Sequence, residues 1–284
     1  MTTQSLTGTV RKMESVWQDS DHTVQYTLPI GEQSLPVNSL IGSHVQLTYT
    51  GSIFCTHCQR KTKKSFGQGF CWPCFRGLAR CDSCIISPEK CHYHLGTCRE
   101  PDWGETFCMS DHIVYLANSP EVKVGITRAT QLPTRWIDQG AVQALPIYRV
   151  GSRRLSGLVE DLLRQQFNDR TNWRAMLRGD PADTDLLATR RELHLRFHDQ
   201  ITTLQNEHGI QSVQPVSEGE VLHIRYPVHS SPERIVSFNL DKTATAAGVL
   251  TGIRGQYLIF DTGVINIRKY TAYELTVQID QQAL

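Results

Sequence analysis

All nine cysteines of this 284-residue chain lie between Cys55 and Cys108. Two CxxC pairs, Cys55-Thr-His-Cys58 and Cys71-Trp-Pro-Cys74, are separated by twelve residues. Two such pairs at this spacing bring four thiolates together around one zinc ion, whereas a disulfide scaffold would spread its bridges over the whole fold. The sequence therefore predicts a structural zinc site formed by Cys55, Cys58, Cys71 and Cys74.

A second zinc site is predicted immediately downstream, where Cys81-Asp-Ser-Cys84 begins another stretch rich in metal ligands. The expected ligands are Cys81, Cys84, Cys91 and a fourth residue that the pattern leaves open among His94, Cys98 and Cys108, with Cys98 taken first. The alternative is that the later cysteines are ordinary small buried residues. The prediction is two structural zinc ions per chain.

The first zinc segment is also strongly basic. From Cys55 to Arg80 it has six lysines and arginines and no acidic residue, so that about four positive charges remain beside a four-thiolate zinc site. Basic side chains displace the counterions of a polyanion, and exposed aromatic rings stack on bases. We therefore predict nucleic acid, DNA or RNA, as the partner. The expected contacts are Arg60, Lys61, Lys63 and Lys64, and the interleaved aromatic residues are Phe66, Phe70, Trp72 and Phe75. Alternatively, these rings form the small core of the finger and the lysines are a solvated tip.

The order of the patterns predicts five segments. Short alternating strands occupy residues 1–50 and 211–284, and strands of the two ends could close one barrel. The zinc fingers span residues 51–109, a mixed α/β segment spans 110–180, and a connecting helix spans 181–210. No run of 18 apolar residues occurs and no signal-peptide pattern opens the chain, so no membrane segment is expected and a cytoplasmic location is predicted.

The mixed segment begins with two strands around Ile113–Ala117 and Val122–Thr127. If the loop between them is Asn118-Ser-Pro120, Tyr115 lies opposite Lys123 on one face of the hairpin. A short helix from Pro133 to Gln139, ended by Gly140, then carries Arg135 on its first turn.

A third strand is expected at 144–150, where Pro146 favours an edge position. The next helix is expected to be capped by Ser156 and to bury a leucine-rich stripe. At 100° per residue, Glu160 borders that stripe and could face a cleft, whereas Asp161 points away from it.

This ββαβα order resembles the GIY-YIG nuclease superfamily over residues 110–180. The residues that carry the resemblance are Ile113-Val-Tyr115, Lys123-Val-Gly125, Arg135, Glu160 and Asn172. The resemblance implies an active site made of Tyr115, Arg135, Glu160 and Asn172. Lys123 stands where the family has a second tyrosine, as in divergent branches with a Lys-Ile-Gly motif, and Ile113 stands at the position of its leading glycine.

The chemistry that this resemblance implies is metal-dependent phosphodiester cleavage. A single carboxylate such as Glu160 suits Mg²⁺ or Mn²⁺, since Mg²⁺ keeps several waters and takes one or two carboxylates. Arg135 could clamp the phosphate, and Tyr115 could relay a proton from the attacking water. Lys123 would hold phosphate as a point charge, or act as a base if it were strongly desolvated.

The whole chain also resembles an uncharacterised prokaryotic zinc-containing family. The segments that carry this second resemblance are Cys81-Asp-Ser-Cys84, His94-Leu-Gly-Thr-Cys98, Arg135-Trp-Ile-Asp-Gln-Gly-Ala141, Thr171-Asn-Trp-Arg174 and Gly252-Ile-Arg-Gly-Gln-Tyr-Leu258.

The expected fold is α+β, with a zinc-finger or ribbon module inserted between a small β module and a GIY-YIG-like ββαβα domain, followed by a β-rich C-terminal module. The expected function is an Mg-dependent endonuclease that acts on DNA or RNA; the alternative is a non-catalytic zinc-finger protein that binds nucleic acid through a degenerate cleft. An open pocket at Glu160 favours catalysis, whereas a Glu160 buried in an ion pair favours binding alone.

Overall fold

A computed structural model describes residues 2–167, 172–232 and 235–281, and Thr171 of the Thr171–Arg174 motif falls outside these ranges. The described chain is an α+β protein with several β-sheets. Its strands are β1 Thr2–Thr9, β2 Glu14–Trp17, β3 Val24–Ile30, β4 Gln33–Pro36, β5 His44–Phe54, β6 Lys61–Thr62, β7 His112–Asn118, β8 Val122–Arg128, β9 Gln143–Val150, β10 Val213–Pro215, β11 Leu222–His223, β12 Thr245–Arg254, β13 Tyr257–Phe260, β14 Gly263–Asn266 and β15 Tyr273–Gln281. Its α-helices are α1 Trp72–Gly77, α2 Pro101–Cys108, α3 Thr134–Asp138, α4 Arg153–Leu163, α5 Trp173–Arg178, α6 Leu186–Arg196 and α7 His198–His208.

Strands from both ends of the chain lie in one antiparallel sheet, in the order β1-β15-β5-β12-β13-β14. Along β15, Leu275, Val277 and Ile279 are buried and alternate with half-buried polar residues, which is the pattern of a strand with one face on a core. A small sheet of β2, β3 and β4 packs into the same core through residues such as Val24, Tyr26 and Leu28.

A second sheet, in the order β10-β9-β7-β8, carries the mixed segment. Its strand β7 is buried along its whole length because both of its faces are covered. Val114 and Leu116 pack with α4 on one side, whereas Tyr115 and Ala117 belong to the core shared with the terminal β-strands. A short uninterrupted apolar run is what such a fully buried strand requires.

The hairpin of β7 and β8 has a different register from the predicted one. Tyr115 pairs with Gly125, and Ala117 pairs with Lys123, so the predicted pairing of Tyr115 with Lys123 is wrong by two residues. The loop is residues 119–121, because Asn118 continues β7 and its amide donates to the Gln143 side chain at 3.0 Å. Tyr115 and Lys123 still share one face, since a shift of two residues preserves the alternation.

Strand β9 is an interior strand, so the edge position predicted from Pro146 is wrong. It pairs with β7 on one side and with the short strands β10 and β11 on the other. Pro146 lies opposite the interval between β10 and β11, and next to a register shift in the β7 ladder. A proline is tolerated there because no ladder hydrogen bond needs its missing N–H.

Helix α4 begins earlier than predicted. Its N-cap is Ser152, whose hydroxyl accepts a hydrogen bond from the N–H of Leu155, and Ser156 lies inside the helix. Leu155, Val159 and Leu163 form the buried stripe as expected. The segment predicted as one connecting helix is two helices, α6 and α7, which are separated at Phe197.

The zinc-finger segment consists of short helices and turns that dock against α4. The turn Pro88–Lys90 packs on α4 at Gly157, where a side chain would collide with the backbone of Glu89. This contact places the segment beside the helix that carries Glu160. Within the described ranges, no helix combines the length and the apolarity needed to cross a membrane.

Candidate functional site

The sulfur atoms of Cys55, Cys58, Cys71 and Cys74 all lie within 4.8 Å of one another. The first pair follows β5 and the second pair enters α1, so each CxxC turn presents two thiols to the same point. Four converging thiols with this spacing form a site that could hold a tetrahedral zinc ion. The predicted set of four cysteines is therefore brought together as expected.

The pKa values of these thiols are consistent with a site that could hold a cation. The backbone N–H of Arg60, together with its guanidinium, lowers the pKa of Cys58 to about 6. Desolvation and the neighbouring thiols raise the pKa of Cys74 to about 12. Four thiolates this close repel each other, and a divalent cation is what allows all of them to ionise together.

The ligands predicted for a second zinc are not gathered in the same way. Within the described residues, the second group of donor atoms within 4.8 Å consists of Asp82, Cys84 and His92. The Asp82 carboxylate already pairs with Arg99 at 2.7 Å. Of the predicted ligands, Cys84 belongs to this group, whereas Cys81, Cys91, Cys98, Cys108 and His94 do not. The second zinc stays a prediction.

The basic tip of the finger is exposed at Lys61, Lys63 and Lys64. Arg60 differs from these lysines, because its guanidinium lies beside the Cys58 sulfur. The rings of Phe66, Trp72 and Phe75 pack on one another with centroid separations of 5.1 to 6.0 Å. They form the small aromatic core of the finger, and Trp72 keeps half of its surface exposed.

A cleft of about 610 Å³ lies between the zinc-finger segment and the second sheet. We call it the arginine cleft, because five arginines line it: Arg80, Arg128, Arg135, Arg153 and Arg268. They come from the zinc segment, β8, α3, α4 and the turn after β14. In the described part of the chain, none of the five forms an ion pair with a carboxylate.

The arginines are close enough to destabilise one another. Burial, followed by the charge of Arg153, lowers the pKa of Arg128. Burial also lowers the pKa of Arg153 and of Arg268, and the charge of Arg135 lowers both further. A row of like charges in a half-buried cleft is unfavourable by itself and favours the binding of an anion.

Glu160 is one of the two carboxylates that line this cleft. The other carboxylate that lines it, Asp82, is paired with Arg99. Burial raises the pKa of Glu160 to about 7, although Arg135, Arg164 and Arg153 oppose the shift. Within the described residues, its carboxylate makes no hydrogen bond and no ion pair within 4 Å.

Tyr115 lines a cavity that adjoins this cleft. Its ring lies over Gly125, and its hydroxyl donates a hydrogen bond to the Gln139 side-chain oxygen at 2.7 Å. Burial raises the pKa of Tyr115, whereas the charge of Arg135 and the hydrogen bond from Arg135 to Tyr115 lower it. The hydroxyl thus stays protonated at neutral pH and lies within electrostatic reach of Arg135 and Glu160.

The remaining predicted site residues lie apart from Glu160. Lys123 lines the neighbouring cavity together with Tyr115, and it is not among the residues that line the arginine cleft. Asn172 is exposed and caps α5, since its side-chain oxygen accepts a hydrogen bond from the N–H of Ala175 at 3.1 Å. The five residues of the resemblance are therefore split: Arg135 and Glu160 in the cleft, Tyr115 and Lys123 in the adjoining cavity, and Asn172 at a helix end.

Several cleft residues carry no sequence signal of their own. Arg80, Arg128 and Arg268 belong to distant segments, and only the tertiary fold brings them together. Gln139 lies four residues after Arg135, so that a helical spacing from Arg135 could have indicated it.

A family model covers most of the chain. It spans residues 42–275 and is described as a protein of unknown function, DUF2797. The chain belongs to this family. Comparisons with curated proteins and with solved structures return no match. The resemblance of the whole chain to an uncharacterised family is confirmed, and the match carries no activity with it.

Two motifs of this DUF2797 chain meet in the structure. In the segment 135–141, the Gly140 carbonyl accepts hydrogen bonds from the Arg254 guanidinium at 3.2 and 2.9 Å. The Asp138 carboxylate accepts from the Gln256 amide at 2.8 Å and from Lys12 at 2.7 Å. These residues join the terminal β-sheet to α3, and thereby fix the helix that carries Arg135.

Proposed function

We propose that this DUF2797 chain binds nucleic acid in the arginine cleft and cleaves a phosphodiester there, with a divalent cation at Glu160. The observation that carries the proposal is the row of arginines around one carboxylate that has no partner in the described residues. Phosphate is the anion best matched to arginine, because the planar guanidinium donates to two oxygens at once.

The substrate is a polyanion rather than a small phosphate, because the positive charge is distributed along the cleft. Arg128, Arg153 and Arg135 act electrostatically on one another in sequence, and Arg268 continues the row from the terminal sheet. A chain of phosphates would neutralise this row with one phosphate per guanidinium. The exposed lysines at 61, 63 and 64 would extend the contact along the zinc segment.

The donor set fits Mg²⁺ or Mn²⁺. Glu160 is a half-buried carboxylate that faces an open cleft, and Mg²⁺ sites often use one or two carboxylates with several waters. When bound, the cation supplies charge stabilisation to a phosphoryl oxygen and lowers the pKa of a bound water. Its positive charge would also hold Glu160 ionised at neutral pH.

The side chains of the chain itself would supply the rest of the chemistry. Arg135 would bind the phosphate and stabilise the charge that develops on its oxygens. The Tyr115 hydroxyl, held by Gln139, would pass a proton between water and the phosphate oxygens as a neutral group. The order β7-β8-α3-β9-α4 supports the GIY-YIG resemblance for this part of the chain.

Zinc would hold the wall of the cleft that packs on the Glu160 helix. The segment from Cys55 to Cys108 supplies Gln68, Phe75 and Arg80 to the lining, and a fold this short needs metal to be stable. We propose one zinc at the four-cysteine site and a second near Cys84.

The test is incubation of the full chain with single- and double-stranded DNA and RNA in Mg²⁺ or Mn²⁺. Wild type should cut at least one of these polymers. Glu160→Gln should lose cutting by about 10²-fold or more while it binds equally well or better, because it removes a negative charge beside the phosphates. Glu192→Gln is the matched control, since Glu192 is exposed on α6 and does not line the cleft.

Two results would change the proposal. If Glu160→Gln cuts as fast as wild type, the cleft carboxylate is not the reaction centre. If wild type binds nucleic acid but cuts no polymer with either metal, the chain is a binding protein with a degenerate cleft.

A further inference from the structure

A second cavity, of about 280 Å³, adjoins the arginine cleft. Val124 and Gln139 line both spaces, so the cavity opens beside the phosphate-binding side chains. Its volume is near the lower limit of small-molecule pockets, which run from roughly 300 to 1,000 Å³. A space of this size fits one flat ring system better than a whole nucleotide.

The walls of this cavity are mostly apolar, and four of the residues that line it carry aromatic rings. Its rings are Tyr115, Phe167, Trp173 and Tyr257. Trp173 and Tyr257 stack with their centroids 5.5 Å apart and their planes at 8°, which holds both rings rigidly in place. Rigid aromatic walls favour a planar, partly apolar ligand.

Five polar residues complete the lining, including the cations Lys123 and Arg164. The Gln139 side-chain oxygen accepts from the Tyr115 hydroxyl, and the Gln139 backbone carbonyl accepts from the Ser119 hydroxyl at 2.8 Å. These two bonds orient Gln139 and leave its amide nitrogen without a hydrogen-bond partner in the described residues. The Asp138 carboxylate also lines the cavity, but its two oxygens already accept from Gln256 and Lys12. The Gln139 side chain therefore offers a donor through its amide nitrogen and an acceptor through the second lone pair of its oxygen, as the edge of a base requires.

We infer that this cavity binds an unpaired nucleobase next to the phosphate held in the arginine cleft. The inference rests on the proposed binding of nucleic acid and adds the substrate class: a single strand, or a strand with a flipped-out base. A base inside a duplex is stacked and paired, and it could enter only after leaving the helix. Gln139 is the residue that would read its hydrogen-bonding edge.

The experiment compares two single-stranded oligonucleotides of equal length, one normal and one abasic at every position. Both carry the same phosphates, so the arginine cleft binds them alike. The normal strand should bind about tenfold more tightly, since aromatic contact with a base is worth roughly a factor of ten in affinity. A blunt duplex of the same sequence should bind more weakly than the normal single strand.

Two variants test the cavity itself. Trp173→Leu and Gln139→Leu should each remove most of the tenfold difference. Trp173 does not line the arginine cleft, so Trp173→Leu should also leave affinity for the abasic strand unchanged. Trp17→Leu is the matched control, because Trp17 lies in β2 and packs on His22. Melting temperatures check that each variant is folded, and Trp173→Leu, which leaves the Tyr115 hydrogen bond in place, serves as the second test if Gln139→Leu unfolds.

The outcomes separate this inference from the proposed function. Equal affinity for normal and abasic strands overturns the base pocket and leaves nucleic-acid binding intact. Tighter binding of the duplex overturns the preference for unpaired bases. Failure of every strand to bind overturns both proposals.

Discussion

The backbone nitrogen of Glu89 lies 2.5 Å from the point where a β-carbon on Gly157 would stand. The zinc segment therefore approaches α4 more closely than any other residue type at 157 would allow. Gly157 precedes Glu160 by three residues, so both lie on the same side of the helix. The contact therefore fixes the position of the zinc segment, which forms one wall of the arginine cleft, relative to the Glu160 carboxylate.

Gly157→Ala should weaken this contact. Alanine improves helix propensity by about 1 kcal/mol, but overpacking against a backbone costs about 1–3 kcal/mol, so a net loss of roughly 1 kcal/mol is expected. Denaturant unfolding measures it, and affinity for a polyanion should fall as the wall moves. Gly151→Ala is the control, because nothing lies within 4 Å of a β-carbon there. If the two variants are equally stable, the turn at Pro88 moves away from the new β-carbon at position 157 without cost.

Removal of a zinc thiolate should cost the chain its metal and much of its stability. Cys71→Ser should lose one equivalent of zinc by elemental analysis and melt well below wild type, because metal binding is part of the folding free energy of such a segment. Ser34→Ala, on an exposed side of β4, should melt like wild type. Cys84→Ser tests the second zinc, and an unchanged zinc content in this variant would remove that site.

The spacing of residues along the sequence predicted the features that depend only on the geometry of one turn or one helix. The four-cysteine site follows from two CxxC turns, and the position of Glu160 follows from its angle to the apolar stripe of α4. The register of the β7 hairpin did not follow in this way, because Asn118 is bound by Gln143 and by the Ala182 carbonyl, both distant in sequence.

The arginine cleft could not be predicted from any segment. Arg80 and Arg268 are nearly two hundred positions apart, and each reads in the sequence as an ordinary surface charge. What distinguishes them is that neither has a carboxylate partner among the residues that the structure describes. The cysteines after Cys81 present a similar difficulty, because several ligand sets fit their spacing and the fold gathers only Cys84 of them, with Asp82 and His92.

Neutralising arginines of the cleft should reduce the salt dependence of nucleic-acid binding. Arg128→Gln and Arg268→Gln should each lower the slope of log affinity against log salt by about 0.7–0.9, because each removes about one phosphate contact. Fluorescence anisotropy across a salt series measures the slope. Arg191→Gln, on an exposed position of α6, is the matched control and should leave the slope unchanged. If only Lys63→Gln and Lys64→Gln lower this slope, the nucleic acid binds at the tip of the zinc segment and not in the arginine cleft.

Tyr115→Phe removes a hydroxyl and keeps the ring over Gly125. If that hydroxyl relays a proton, turnover should fall by about 10²-fold or more, with little change in affinity. Arg135→Ala should instead lower both turnover and affinity, because its charge acts on the bound and the reacting phosphate alike. Single-turnover cleavage and equilibrium binding separate the two patterns. A Tyr115→Phe variant with wild-type turnover would leave this tyrosine a packing role only.

Glu160 should make the stability of the protein depend on pH. Burial raises its pKa to about 7 from an ordinary value of 4.5. Between these values the folded chain holds a proton that the unfolded chain has released, so the contribution of Glu160 to stability is full below pH 4.5 and is lost as the pH rises to about 7. Glu160→Gln removes this dependence, and at pH 8 it should be more stable than wild type by about 1–3 kcal/mol. At pH 4.5 the two should unfold alike. Denaturant unfolding from pH 4.5 to 8 measures the difference, with the exposed Glu192→Gln as the control.

Saturating Mg²⁺ should reduce the difference in stability between Glu160→Gln and wild type at pH 8, because a cation that binds only the folded wild type stabilises it by mass action. If the difference in unfolding free energy between Glu160→Gln and wild type is the same at every pH, Glu160 is already ionised in the metal-free protein, and Arg135 and Arg153 compensate for its burial.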